Sequence, residues 1–158
     1  MPDASDLGRV ALIASWSQRY IDDHRRWLEL HGPHWDGWSH TLSPDNRGLL
    51  RKTIASHGRV HFYAYMSRGQ GGDGTVRYRL GLDDFTYHWP AAPFTHAHGN
   101  HGGPEPYSAI FVVRLDAVEE LPHVREIADF TTVAGKTLSP RAMRGLYVVD
   151  EIAVGAPA

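Results

Sequence analysis

The sequence predicts an α+β domain whose curved or barrel-like mixed sheet is flanked by short helices. Three observations carry that prediction. Apolar runs of strand length bracket two helical segments in the first half of the chain. From Val60 onward the hydrophobic period falls to two. The later strands are joined by hairpin-like connections, unlike the helical crossovers of a doubly wound sheet. With 158 residues, 42% of them hydrophobic, the chain can bury one sizeable core and shows no linker or internal repeat, so residues 1–158 are read as a single domain.

"RVALIASW" is apolar, too short for a typical helix, and ends at Ser15, Trp16 and Ser17, which predicts a buried strand. "SQRYIDDHRRWLELHGP" places Ile21, His24, Trp27, Leu28 and His31 at helical spacing before Gly32-Pro33, which predicts a helix. "HWDGWSHTL" is polar and contains glycine, so it reads as a loop carrying two tryptophans. In the next segment Ser43 is an N-cap, Pro44 the first helical residue and Gly58 the terminator of a second helix facing inward with Leu49, Leu50 and Ile54. Val60, Phe62, Ala64 and Met66 then alternate with His61, Tyr63, Tyr65 and Ser67, a strand with one apolar and one aromatic-polar face. "RGQGGDG" is a hairpin loop, "TVRYRLGLDDFTYHW" and "YSAIFVVRLDAV" are strands, "SPRAM" opens a short helix, and "GLYVVDEIAV" is the closing strand. Residues 88–106, rich in proline, glycine and histidine, form a long loop.

Composition narrows the function classes. No apolar run approaches the length of a membrane span, and "MPDASDLGRV" lacks the features of a secretion signal, so a soluble, cytoplasmic protein is expected. There is no cysteine, which excludes thiolate metal sites, disulfides and thiol nucleophiles. Net charge is −2, with 9 Lys+Arg against 7 Asp+Glu in residues 1–70 and 7 against 11 in residues 71–158. A non-specific duplex binder needs a broader basic surface than that.

The segment "FTHAHGNHGG" places His96, His98 and His101 at a spacing similar to the zinc motif of the metallo-β-lactamase superfamily. Asn100 stands where that superfamily usually carries aspartate, and two prolines precede the motif where a central strand would be needed. A metal-dependent hydrolase using His96, His98 and His101 is the alternative this motif offers; the competing expectation is a histidine-rich loop, with no resident metal or cofactor.

Three of the five tryptophans, Trp35, Trp38 and Trp89, fall in loop-like sequence. Such rings can plug a barrel end or sandwich a flat ligand. Here the order of elements resembles the EVE domain, a PUA-like family related to the YTH readers: strand, helix, Trp-containing loop, second helix, then "HGRVHFYAY", "VRYRLGLDDFTY", "PYSAIFVVRLDAV" and "RGLYVVDEI". The resemblance covers most of the chain and rests on order and short strings. "QGGDG" and "HAHGNHGG" have no counterpart in the family, and the related ASCH pattern Gly-x-Lys-x-x-Glu-x-Arg is absent.

The resemblance implies a PUA-like fold and the binding of modified bases in DNA or RNA without chemistry on them. It implies a pocket wall at Trp38 and Ser39 with Trp35 nearby, strand-end contacts from Ser15, Trp16 and Ser17, and a second wall at Trp89. Tyr63 and Tyr65 would floor that pocket, and Asp83 or Asp84 would accept a hydrogen bond from an exocyclic amine. Arg19, Arg25, Arg26, Arg51 and Lys52 are candidates for the flanking phosphates. No nuclease signature is visible, so any cleavage would belong to a separate nuclease or effector protein. A protein- or metabolite-binding module on the same scaffold is the third expectation.

Overall fold

The computed structural model describes residues 9–38, 40, 42–87 and 111–152. The expected loop at 88–106 and its histidines lie outside them. Strands β1 (Val10–Trp16), β2 (His34–Trp38), β3 (Val60–Met66), β4 (Val76–Thr86), β5 (Phe111–Arg125) and β6 (Tyr147–Asp150) form one mixed sheet in the order β2-β5-β4-β3-β1-β6. Helices α1 (Gln18–His31) and α2 (Pro44–His57) complete an α+β architecture. Among the described residues no pairing joins the edge strands β2 and β6, so the sheet is open there.

β1 and β3 run parallel, in register from Leu12 with Phe62 to Trp16 with Met66. The other strand pairs are antiparallel. A parallel pair cannot be closed by a hairpin, so the chain crosses over through α1, β2 and α2. Both helices begin where the sequence predicts. Ser17 accepts a hydrogen bond from the Tyr20 amide, and Ser43 accepts one from the Asn46 amide ahead of Pro44. α2 ends at Gly58, whose φ of 84° is left-handed and whose amide donates to the Ile54 carbonyl. No helix among the described residues is long and apolar enough to cross a membrane.

Two expectations need correction. "HWDGW", read as loop, is strand β2, antiparallel to β5 from His34 opposite Leu115 to Trp38 opposite Phe111. Gly37 and Asp36 argue locally against a strand, but the free edge of β5 supplies a hydrogen-bonded ladder that overrides local preference. The second correction concerns β3, read as having one aromatic-polar face. Both of its faces are buried. Phe62 and Ala64 join Leu12, Leu80, Leu82 and Val113 under Ile21 and Leu50 of the helices. Tyr63 and Tyr65 join Ala11, Ile13 and Val76 on the opposite face, under Ile127, Phe130, Leu138 and Met143. The covering segment between β5 and β6, with 3-10 turns at Ile127–Asp129 and Pro140–Ala142, has no strong period and is not legible as a layer.

Tyr63 carries a hydroxyl into that second core, and its partner is Glu151. The hydroxyl donates to Glu151 Oε1, His61 Nδ1 lies 2.7 Å from Oε2, and Arg9 Nε lies 3.7 Å from Oε2. Burial pushes the Tyr63 hydroxyl well above its ordinary pKa, and the neighbouring carboxylate adds to the rise. For Glu151, burial acts to raise the pKa, but hydrogen bonds from His61 and Tyr63 outweigh it and hold the carboxyl below its usual range. A carboxylate with a depressed folded pKa stabilises the fold above its unfolded pKa, and that contribution is lost as pH falls through the folded value. Glu151→Gln is therefore expected to unfold at lower denaturant concentration than the parent at neutral pH, with the gap narrowing as the titration enters the acid range. Urea melts across that range check it.

The hairpin joining β3 to β4 also has a tight point. A Cβ on Gly72 would sit 2.3 Å from the Met66 carbonyl oxygen, so any side chain there forces the backbone apart. Gly72→Ala is expected to cost about 1–3 kcal/mol, read as a thermal midpoint lower by several degrees.

Candidate functional site

A cavity of about 480 Å³ opens at the carboxyl end of the parallel pair. Ala14 and Ser15 from β1, Trp38 and His40 at and beyond the end of β2, Ser67, Gly69 and Gln70 from the turn after β3, and Met143, Arg144 and Gly145 before β6 line it. Register explains the convergence. β1 and β3 end at the same level because they are parallel, and β6, antiparallel to β1, must start there.

Ser15 lies on the face of β1 opposite Trp16, and its hydroxyl donates to the Met143 carbonyl at 2.8 Å. That bond fixes the turn before β6 against the strand and leaves Ser15 Oγ able to accept only. Trp16 is 2% exposed and lies behind the site. Its ring meets Trp38, Phe62 and His24 edge-on at 5.1, 5.3 and 5.5 Å, the geometry that aromatic quadrupoles favour. Trp38 thus stands on a rigid aromatic base with part of its surface toward the cavity. Trp38 Nε1 and His40 Nδ1 are buried and have no hydrogen-bond partner among the described residues. A buried polar atom left this way costs about 1–3 kcal/mol.

β2 is held to α1 from behind. His24 Nδ1 and His34 Nε2 are 2.7 Å apart, and His24 Nε2 is 3.2 Å from Asp36 Oδ2, with both rings buried. The two imidazoles are nearly coplanar at 9° with centroids 5.0 Å apart. With nitrogens 2.7 Å apart, that separation means the rings meet edge to edge, not face to face. One ring donates and the other accepts, an in-plane bond whose direction fixes how β2 sits on the helix.

The expected residues divide. Ser15 and Trp38 line the cavity and Trp16 supports it. Ser17 is the N-cap of α1. Trp35 sits on β2 opposite Arg114 and is not part of the lining. Tyr63 and Tyr65, expected as a floor, belong to the second core, because the segment after β5 covers their face. Asp83 pairs with Arg114 on β4 and β5, away from the lining; burial raises its pKa against the opposing pull of that arginine. Asp84 pairs with Arg51 at 2.9 Å, and Arg51 also donates to the Phe85 carbonyl and covers the Phe85 ring, so this arginine is already committed. Arg25 lies over the Tyr78 ring, and Arg19, Arg26 and Lys52 are exposed on the helices. None of these five cations lines the cavity.

Ser39, Trp89, His96, His98 and His101 lie outside the described residues. Among the described residues no group of three or more His, Asp or Glu side chains could hold a metal ion. His40, Ser67, Gln70 and Arg144 were not legible as site residues, since only the parallel register of β1 and β3 brings their turns together. Comparison with protein-family models, curated proteins and solved structures finds no match for this chain.

Because β2 carries the Trp38 wall, loosening its attachment should reach the cavity. His34→Ala is expected to lower stability by about 2–4 kcal/mol, combining a lost buried hydrogen bond with a void. It is also expected to alter the near-ultraviolet circular dichroism of the Trp16 and Trp38 pair before global unfolding. A native tryptophan spectrum in this variant would show that the wall does not depend on the histidine contact.

Proposed function

We propose that this domain is a nucleic-acid reader that takes a modified base, turned out of its strand, into the cavity beside Trp38. The observation that carries the reading is the cavity itself: its volume lies within the range of about 300–1,000 Å³ usual for small-ligand sites. An indole forms part of its wall, and the imidazole of His40 stands beside it. Ser15 Oγ, whose proton is committed to the Met143 carbonyl, can only accept. An N–H group on the edge of a heterocycle complements that acceptor. The resemblance to the EVE domain, which supplies Ser15 and Trp38 as contacts, supports the same reading, and so does the PUA-like arrangement it implies.

Binding without chemistry on the base is the role that the resemblance implies, and among the described residues the lining carries no carboxylate. Cleavage in a nucleic-acid pathway is then the work of a separate nuclease or effector. The metal-hydrolase alternative depends on His96, His98 and His101, and no observation among the described residues favours it.

Gly69 gives a way to close the site without disturbing the core. Its φ is not left-handed, and a Cβ there would meet nothing nearer than Ser67 Oγ at 3.7 Å, so neither backbone nor packing demands glycine. Gly69→Leu is expected to fold normally and to abolish base-dependent binding. Trp38→Ala removes a stacking wall worth about 1–3 kcal/mol, so affinity for a single strand carrying one modified base should fall about fivefold to a hundredfold. The measurement is fluorescence anisotropy against oligonucleotides differing in that base alone, at fixed salt. A parent protein that binds every oligonucleotide of the set alike, or none, would end this reading; a metabolite retained in native mass spectrometry would favour a small-molecule module instead.

A further inference from the structure

We infer that Arg144 is the phosphate contact of this site, so that the cavity takes a base together with its own backbone phosphate. This inference rests on the reader function proposed above. Among the described residues Arg144 is the only arginine or lysine in the lining, and it is exposed. Its side chain makes no ion pair among the described residues, unlike Arg51, Arg59, Arg77, Arg79 and Arg114, each held by a carboxylate. Among the described residues no carboxylate competes for its guanidinium.

The local field favours an anion. The two turns on either side of the cavity, residues 67–72 and 139–146, contain Arg68, Arg141 and Arg144 and no acidic residue, in a chain of net charge −2. The nearest carboxylate beyond the first turn, Asp73, is taken up by Thr75 and Arg77, whose hydrogen bonds hold its pKa down to about 2. Position also fits. Met143, next to Arg144, is tied through its carbonyl to Ser15, so the backbone that carries the guanidinium is fixed relative to the polar atom expected to read the base. A planar guanidinium then offers two parallel N–H groups to phosphate oxygens, which a lysine cannot reproduce.

The test compares three probes: a single strand carrying one 5-methylcytosine, 5-hydroxymethylcytosine or N6-methyladenine, whichever binds; the same strand with uncharged methylphosphonates flanking that nucleotide; and the free nucleoside monophosphate. The parent protein is expected to lose about tenfold in affinity when the flanking charge is removed. Arg144→Ala should lose the same factor on the natural strand and be indifferent to the methylphosphonates, while Arg144→Lys recovers part of the loss. Arg144 is exposed, so neither variant is expected to unfold. If the monophosphate binds as tightly as the strand, the contact stands and the physiological occupant is a free nucleotide. Equal losses in the parent and in Arg144→Ala on neutralising the linkage would overturn the assignment and leave base reading intact. A parent that binds no probe removes both.

Discussion

The parallel pairing of β1 with β3 is the constraint on which the rest of the molecule depends. Two parallel strands must be joined by a crossover, and here that crossover contains both helices and β2. The pair is buried on both faces, by the helices on one side and by the segment between β5 and β6 on the other. Chain leaving both strands emerges at one end of the sheet, and antiparallel β6 brings a third turn to the same place. The cavity is a consequence of that register. Its walls are turns, which can vary in sequence, set on strands that cannot.

The wall at Trp38 has a different origin. β2 is an edge strand of five residues, and its ladder with β5 is too short to hold an aromatic side chain in one orientation unaided. Direction comes from two side-chain systems behind it, the edge-to-edge imidazoles joining α1 to β2 and the perpendicular rings of Trp16, Trp38 and Phe62. Both are directional contacts in a region otherwise held by non-directional packing. That combination keeps a partly exposed indole in one place, its ring nitrogen without a partner among the described residues.

What could be read in advance follows from which signals are local. Ser43, Pro44 and Gly58 announce the second helix and Gly32-Pro33 the end of the first through chemistry within a few residues, and both helices are found where those signals stand. β2 carries no such signal, since His34, Asp36 and Gly37 make sense as a strand only beside β5. Tyr63 and Tyr65 mislead for a related reason: alternation on one strand does not reveal whether a second layer covers the polar-looking face. In the site, Ser15 and Trp38 are reachable by resemblance, whereas His40, Ser67, Gln70 and Arg144 become neighbours only through the topology. The local strings are short and polar, and nothing in their period separates them from ordinary turns.

The spread of the lining along the chain has a thermodynamic consequence. Residues near position 15, near 40, near 70 and near 144 meet in one cavity, so opening β1, β2, β3 or β6 dismantles the site. An occupant's binding energy is then shared by the whole sheet, and protection against hydrogen exchange should rise together in β1, β3 and β6, with no confinement to the contacting turns. Assembly of such a site is correspondingly late in folding, because its first and last segments must close a loop of most of the chain before they can touch.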